Sequence, residues 1–423
     1  MVRMILGGAI FAATLIVVMV RPYRVTEAMA AAGGAILMML GGFVRFPEAV
    51  SVLAAQWNTL GFFLGLMIIS AIAEDAGLFE MLAHRAAQWG KGRSTRLYVA
   101  VFLVGAILSA FLSNDATALI LTPVVYALAT RLRLPVLPFM FACTFIADTA
   151  SFILPVSNPI NILILHSFGG GLGTFLRYLF LPSVAAVLLN CLVFLWLFRR
   201  DLSQRYSMSA LPAPRMVDPR FLAVSMWILV LIATSYIVAS SIGIPLSFVA
   251  LGGAGLMMTA ALVMGRLKPS ALARKISWSL FLFIGGMFIV IRAVEDLGLT
   301  GAFGRMLLGL SGGQPLAAVL LVTGGTALGA NLINNVPMAL VMISALHGLP
   351  PGIPGYESLP YAAMFGADLG PNLTTVGSLA TILWLVILRR RGLEVSTRQY
   401  FRLGITFVPA LIIVGSLLIW IKL

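Results

Sequence analysis

Apolar runs long enough to cross about 30 Å of hydrocarbon recur from one end of this chain to the other. In the first half they cover about 4–20, 25–44, 57–75, 97–131, 138–165 and 178–198. Two of them are not simple spans. The run 97–131 is split by the polar tip Ser113-Asn114-Asp115 into arms 97–112 and 118–130. At 1.5 Å per residue even the longer arm reaches only about 24 Å. The pattern therefore predicts a re-entrant hairpin whose tip lies deep in the membrane, covered by protein or by a wet cavity. The run 138–165 is too long for one crossing and is interrupted by Pro155-Val156-Ser157-Asn158-Pro159-Ile160-Asn161, which predicts a discontinuous helix.

The pattern then repeats. Trp57, Phe62, Gly65, Ile68, Glu74, Asp75, Gly77 and Leu78 recur 221 residues later as Trp278, Phe283, Gly286, Ile289, Glu295, Asp296, Gly298 and Leu299. The same offset carries Asn114, Ala118 and Leu119 onto Asn335, Ala339 and Leu340. With a slip of one residue, Phe145, Ala147, Asp148, Val156 and Ile162 match Phe365, Ala367, Asp368, Val376 and Ile382. The second hairpin tip is Asn331-Leu332-Ile333-Asn334-Asn335-Val336-Pro337. The second break is Gly370-Pro371-Asn372 followed by Thr374, Thr375, Gly377 and Ser378. Internal repetition at this scale divides the chain into 1–205, a polar linker 206–220 holding Pro212 and Pro214, and 221–423.

Each half makes an odd number of crossings, so the halves must lie antiparallel. The expected fold is an all-α polytopic membrane protein of two inverted-topology repeats. Each holds five transmembrane helices plus a re-entrant hairpin, with discontinuous helices at the centre. Charge agrees. That topology gathers the basic loops on one side, leaving Arg3, Arg45, Arg177, Arg305 and Lys422 on the other and Arg292 within a span. The crowded side is read as cytoplasmic, which puts both termini outside.

Composition narrows the class. Of 423 residues 61% are hydrophobic and only 10% charged, with a mean hydropathy of +1.05, against about 25% charged in a soluble domain. The net charge of +14 sits in the loops, where it orients helices and meets anionic lipid rather than nucleic acid. Arg21-Pro22-Tyr23-Arg24 follows the first run where a small-residue cleavage site would stand, so an uncleaved first helix is expected. Cys143 and Cys191 lie in apolar runs and suggest no disulfide framework. His84, His166 and His347 have no metal-ligand spacing, and no phosphate-cradling Gly-rich loop with a lysine is present. No cofactor and no enzymatic activity are expected, and an ion gradient must drive transport.

Carboxylates deep in a membrane are costly and point to function. Asp148 and Asp368 are repeat counterparts, each about 15 Å into its span and beside a break. A low-dielectric setting favours their protonated form, which suits proton carriers. Asp115, at the first tip, is a third candidate, and its counterpart is Val336. Ser113, Asn114, Ser157, Asn158, Asn161, Asn334, Asn335, Asn372, Thr374 and Thr375 are the expected solute-binding residues. Scattered Asn and Ser often only join neighbouring helices, but clusters at matched positions of both halves indicate a site. Glu74, Asp75, Glu295 and Asp296 sit at span ends, and Arg292 is one turn before the second pair, which suggests an in-helix ion pair.

The stretches Ser113–Pro123 (SNDATALILTP), Phe145–Ser151 (FIADTAS), Ser157–Ile162 (SNPINI) and Asp368–Trp384 (DLGPNLTTVGSLATILW) resemble the bacterial ArsB-type arsenite/antimonite permeases of the ion-transporter superfamily. The likeness spans nearly the whole chain. It implies an arsenite/proton antiporter of the inner membrane, sometimes assisted in the family by a soluble ATPase docking from the cytoplasm. It also implies a substrate site at the tips and breaks, including Asn114, Asp115, Asn158, Asn161, Asn334, Asn335 and Asn372. Where family members commonly have Gly, Thr117 stands here, and Pro159 follows Asn158 in place of an aliphatic residue. Arsenite at neutral pH is mainly an uncharged trihydroxide, matched by Asn, Ser, Thr and backbone groups, with no Lys or Arg at the site for a carboxylate. The rival readings are a sodium/proton or other small-anion antiporter of the same architecture, a passive channel, and a membrane enzyme.

Overall fold

The apolar runs fold as helices in one order, twice. The computed structural model describes all residues except 1, 23–24, 212–217, 350–352, 354 and 423. The first half runs Val2–Val20, Glu27–Leu40, Phe46–Ala55, Trp57–Asp75, Leu78–Gly90 and Ser94–Phe111. The first tip then leads to Thr122–Arg131, Val136–Thr149, a break, Pro159–Phe168 and Leu172–Leu197. The second half runs Pro219–Ser241, Leu246–Val263, Pro269–Lys275, Trp278–Asp296, Leu299–Gly309 and Pro315–Ile333. A tip at Asn334 is followed by Asn335–His347, Leu359–Leu369, a break, Leu379–Arg390, and the pair Thr397–Ile405 and Val408–Trp420. Nine of the described helical segments are long and apolar enough to cross a membrane.

Sequence explains the shared punctuation. Gly77 and Gly298, repeat counterparts, both adopt left-handed backbone (φ +82° and +74°) between a long helix and a short amphipathic one. Only glycine takes that conformation without steric cost. Three boundaries differ from the pattern reading. Phe46–Ala55 forms an additional helix between two expected spans, started by Pro47 at its first turn. The helix expected from 178 begins at Leu172. The second half begins at Pro219 rather than 221, because the Asp218 carboxylate caps it by accepting from Arg220 N at 2.9 Å. Pro212, Pro214 and Arg215 of the linker, and Tyr23 and Arg24 after the first helix, lie outside the described residues.

The halves exchange partners. Glu27–Leu40 packs on Trp278–Asp296, and Leu246–Val263 packs on Trp57–Asp75. Both crossings are close because a glycine stands at each. A Cβ on Gly65 would lie 2.6 Å from Ala250 O, and one on its counterpart Gly286 would lie 2.8 Å from Ala31 O. Counterpart helices run antiparallel where they can be compared. Lys275, ahead of Trp278–Asp296, reaches Glu74 and Asp75 at the end of Trp57–Asp75. Arg292, near the end of the former, reaches Glu48, ahead of the latter. Arg177, near the start of Leu172–Leu197, donates to Lys422 O after Val408–Trp420.

That last contact also orients the first hairpin. Since the two helices meet at Arg177 and Lys422, their other ends, near Leu202 and Arg391, share the opposite level. Thr95 Oγ1 at the first foot of the hairpin donates to Leu202 O at 2.8 Å, and Tyr126 OH on the returning arm donates to Arg391 O at 3.4 Å. Both feet therefore stand at one level, and the tip residues Ser113 and Asn114 are buried. Behind the centre an aromatic cluster packs tightly: Phe145 stacks on Tyr400 with centroids 4.7 Å apart and meets Phe194 edge-on at 5.0 Å.

Candidate functional site

Both breaks exist as non-α segments at the ends of half-length helices. In the first, Val136–Thr149 stops and the chain passes through the short turn Pro155–Ser157 before Pro159 restarts a helix capped by Asn158, whose Oδ1 accepts from Ile160 N at 3.1 Å. In the second, Leu359–Leu369 tightens through Gly370–Asn372, and Ser378 caps the next helix by accepting from Thr381 N at 3.2 Å. The first tip returns through a π-helical turn, Thr117–Leu121, a distortion common at functional sites. At the second tip Asn334 has φ +73°, a strained choice for a non-glycine residue.

Asp148 and Asp368 occupy the last turns before the two breaks, each 1% exposed. Their surroundings match. Asp148 Oδ1 accepts from Asn114 Nδ2 of the first tip at 3.3 Å, and Asp368 Oδ1 accepts from Asn158 Nδ2 of the first break at 2.7 Å. The second oxygen of each carboxyl, Oδ2, is buried and makes no hydrogen bond of ordinary length among the described residues, with Thr381 beside the Asp148 carboxyl and Ser151 and Asn161 beside that of Asp368. The halves are tied across the centre in both directions. Asn158 of the first break reaches Asp368, and Asn372 Nδ2 of the second break reaches Thr149 Oγ1, next to Asp148, at 2.9 Å.

The other predicted residues divide by role. Ser157 is fully engaged in joining break to hairpin: its hydroxyl donates to Ala110 O at 3.0 Å and accepts from Leu154 N at 3.2 Å. Asn161 braces the first break by donating to Ser151 O at 2.7 Å, leaving its buried Oδ1 without a partner. Ser113 caps the tip at Ala116 N. Asn335 N donates to Gly377 O at 3.1 Å, which joins second tip to second break. Thr374 bonds Asn331, and Thr375 lies 3.5 Å from Thr397, so neither hydrogen-bonds to the aspartate network. Asp115 is partly buried and lines a cavity of about 300 Å³ that also touches Ser113 and Pro159 and extends to Glu74 and Lys275.

Two participants were not among the predicted residues. Thr149 Oγ1 accepts from two amides, Asn372 Nδ2 and Asn190 Nδ2, the latter at 2.8 Å. Asn190, the lone amide of the Leu172–Leu197 helix and the lone polar residue of its stretch 184–197, is fully buried. That isolation was a readable signal, since an amide in such a run needs a buried partner.

The family model described as citrate transporter matches residues 13–367. The arsenical pump membrane protein of Escherichia coli K12 is 33% identical over 407 residues, covering 95% of each chain. This chain belongs to the citrate transporter family, as an ArsB-type permease. Among solved structures the YdaH transporter of Alcanivorax borkumensis aligns with a TM-score of 0.60 at 15% identity, covering 89% of this chain and 87% of that one. The Neisseria gonorrhoeae MtrF structure aligns at 0.53 and 13% identity, over 99% and 94%. At these identities the two likenesses concern the fold alone. A multi-pass, all-helical membrane transporter fold is thus common to the permease and its structural neighbours.

Proposed function

We propose that the protein exports arsenite, and antimonite, as the uncharged trihydroxide in exchange for protons, by alternating access between two inverted repeats. The carrying observation is the pair of buried aspartates, each with one oxygen held by an asparagine amide and the other without a donor. A buried acceptor without a donor is costly. A proton on Oδ2 removes the buried charge, and an O–H group of a trihydroxide supplies the missing donor. Proton and solute therefore compete for the same two oxygens, and mutual exclusion of this kind produces exchange rather than co-transport.

The surroundings support a neutral cargo. Among the described residues no lysine or arginine hydrogen-bonds to the network, whereas a carboxylate or phosphate cargo would call for one. Ser113, Asn114, Asn158, Asn161, Asn334, Asn335 and Asn372 supply amide and hydroxyl groups around the centre, with Ser157, Thr374 and Thr375 holding the tips and breaks in place. Asp115, between Asp148 and the cavity, passes the released proton to the side of the basic loops, taken as cytoplasmic with the protein in the bacterial inner membrane. The name of the Escherichia coli relative supports the arsenical cargo.

The test is arsenite uptake into everted vesicles energised by respiration. Uptake should collapse on adding a protonophore and should be lost in Asp148→Asn. The free Oδ2 atoms also suit a sodium ion, and uptake that survives the protonophore but needs sodium would replace the proton in this scheme. No energised uptake of arsenite at all would sink the cargo assignment.

A further inference from the structure

A second cavity lies on the opposite side of the molecule, and it is the repeat image of the first. The cavity at Lys275 is lined by Met67, Ser70, Ala71, Glu74 and Leu119. The other, of about 240 Å³, is lined by Phe288, Ile291, Arg292, Glu295 and Leu340. These are the same five positions displaced by 221 residues. Ser277 at the first mouth likewise corresponds to Gln56 at the second. The first cavity reaches Ser113 and Asp115 at its tip, while the second stops at Leu340 and Ile343.

The mouths share a charge pattern that the central network does not use. Glu74 and Asp75 recur as Glu295 and Asp296, and each pair is bridged by one cation. Lys275 Nζ lies 2.8 Å from Glu74 and 2.7 Å from Asp75, so two carboxylates face one ammonium, a net charge of −1. Arg292 lies 3.2 Å from Glu48, 3.6 Å from Glu295 and 3.1 Å from Asp296, so three carboxylates face one guanidinium, a net charge of −2. Burial alone would lower the Lys275 pKa, but its bonds to Asp75 and Glu74 outweigh that and hold it above the ordinary lysine value, so it stays charged at neutral pH. Arg292 is charged at any physiological pH. Within the ion-paired clusters, carboxylates therefore outnumber cations at both mouths.

We infer that these two cavities are the twin entrances to the aspartate network, and that the acidic surplus at each mouth filters solutes by charge, repelling anions and admitting uncharged molecules. A net charge of one sign at a cleft mouth changes the local concentration of charged solutes, by about tenfold at the lower end of the range. In a family whose model is described as a citrate transporter, this filter is a second determinant of cargo, acting before the central site is reached. It deepens the export reading by naming what is kept from the site.

The test reads the mouth without transport. Ser277→Cys or Gln56→Cys is placed in a Cys143→Ala/Cys191→Ala background. Each is then modified in proteoliposomes with the anionic sulfonatoethyl and the cationic trimethylammonioethyl methanethiosulfonates, with rates normalised to free cysteine. At low salt the anionic reagent should be slower by roughly tenfold at both positions, and about 1 M salt should flatten the ratio. Adding Glu74→Gln/Asp75→Asn to Ser277→Cys leaves Lys275 unopposed and should invert the preference. Lys275→Gln should strengthen it. Opposite shifts from neighbouring substitutions cannot both come from misfolding. A ratio near unity at low salt, or one indifferent to these charge changes, overturns the filter. If vesicles show no arsenite export, the cargo assignment fails separately, since the modification ratios do not depend on it.

Discussion

Asp368→Asn separates the proton from the fold. The amide is nearly isosteric with the carboxylate and keeps an oxygen where Asn158 Nδ2 donates at 2.7 Å. A hydrogen bond to a charged acceptor contributes about 1.5–3 kcal/mol and one to a neutral acceptor about 0.5–1.5, so at most about 2.5 kcal/mol is lost. Relief from burying an unpaired charge works in the opposite direction, and the variant should therefore fold and reach the membrane. Its coupling should not survive. One pH unit is worth about 1.36 kcal/mol per proton moved, so losing one exchanged proton lowers the attainable arsenite accumulation about tenfold per unit of gradient. The assay is steady-state arsenite accumulation in everted vesicles at imposed gradients of about zero, one and two pH units, with protein amount fixed by immunoblot. The slope of log accumulation against the gradient should fall by about one. An unchanged slope would refute the proton-carrying role. Asp368→Leu is the contrast: it leaves Asn158 Nδ2 buried without an acceptor, costing about 1–3 kcal/mol, and should lower abundance as well.

Thr149→Val should leave the Asn372 and Asn190 amides both unpaired and cut folded protein sharply, at about 1–3 kcal/mol per orphaned group. Thr149→Ser keeps the acceptor and should restore both abundance and uptake, as detergent-solubilised melting and vesicle assays would reveal. Gly65→Leu and Gly286→Leu should be similarly damaging, because each places a side chain against the backbone of the helix crossing from the other half. A large difference in melting temperature between them would contradict equivalent crossings. The Asp218 carboxyl is held below its ordinary range by the Arg220 amide and then by Arg266. Its cap is present at neutral pH and is lost as pH falls through that depressed value, so amide protection at Arg220 and Phe221, relative to the intrinsic exchange rate at each pH, should fall in acid. Asp218→Asn, which still caps but does not titrate, should remove the pH dependence.

Much of this fold was legible along the chain, for a physical reason. In hydrocarbon every backbone polar group must be satisfied within its own segment, so apolar length maps onto helices, and each Pro, Gly or Asn cluster marks where that rule is broken. The two tips and the two breaks follow from that constraint, and the 221-residue offset is read from residue identities alone. Asp148 and Asp368 stand out because a carboxylate in such a run has no ordinary use. Periodicity could not reach what depends on distant segments meeting. Thr149 belongs to the network only because Asn190 and Asn372, from two other segments, converge on its hydroxyl. Thr374 and Thr375 sit in the right break yet turn to Asn331 and Thr397. Arg292 pairs within its helix as expected, but also with Glu48 across the halves. Hydrogen bonds are short and directional, so which polar groups join a network is decided by how helices cross, and the crossings are fixed here by side-chain contacts hundreds of residues apart.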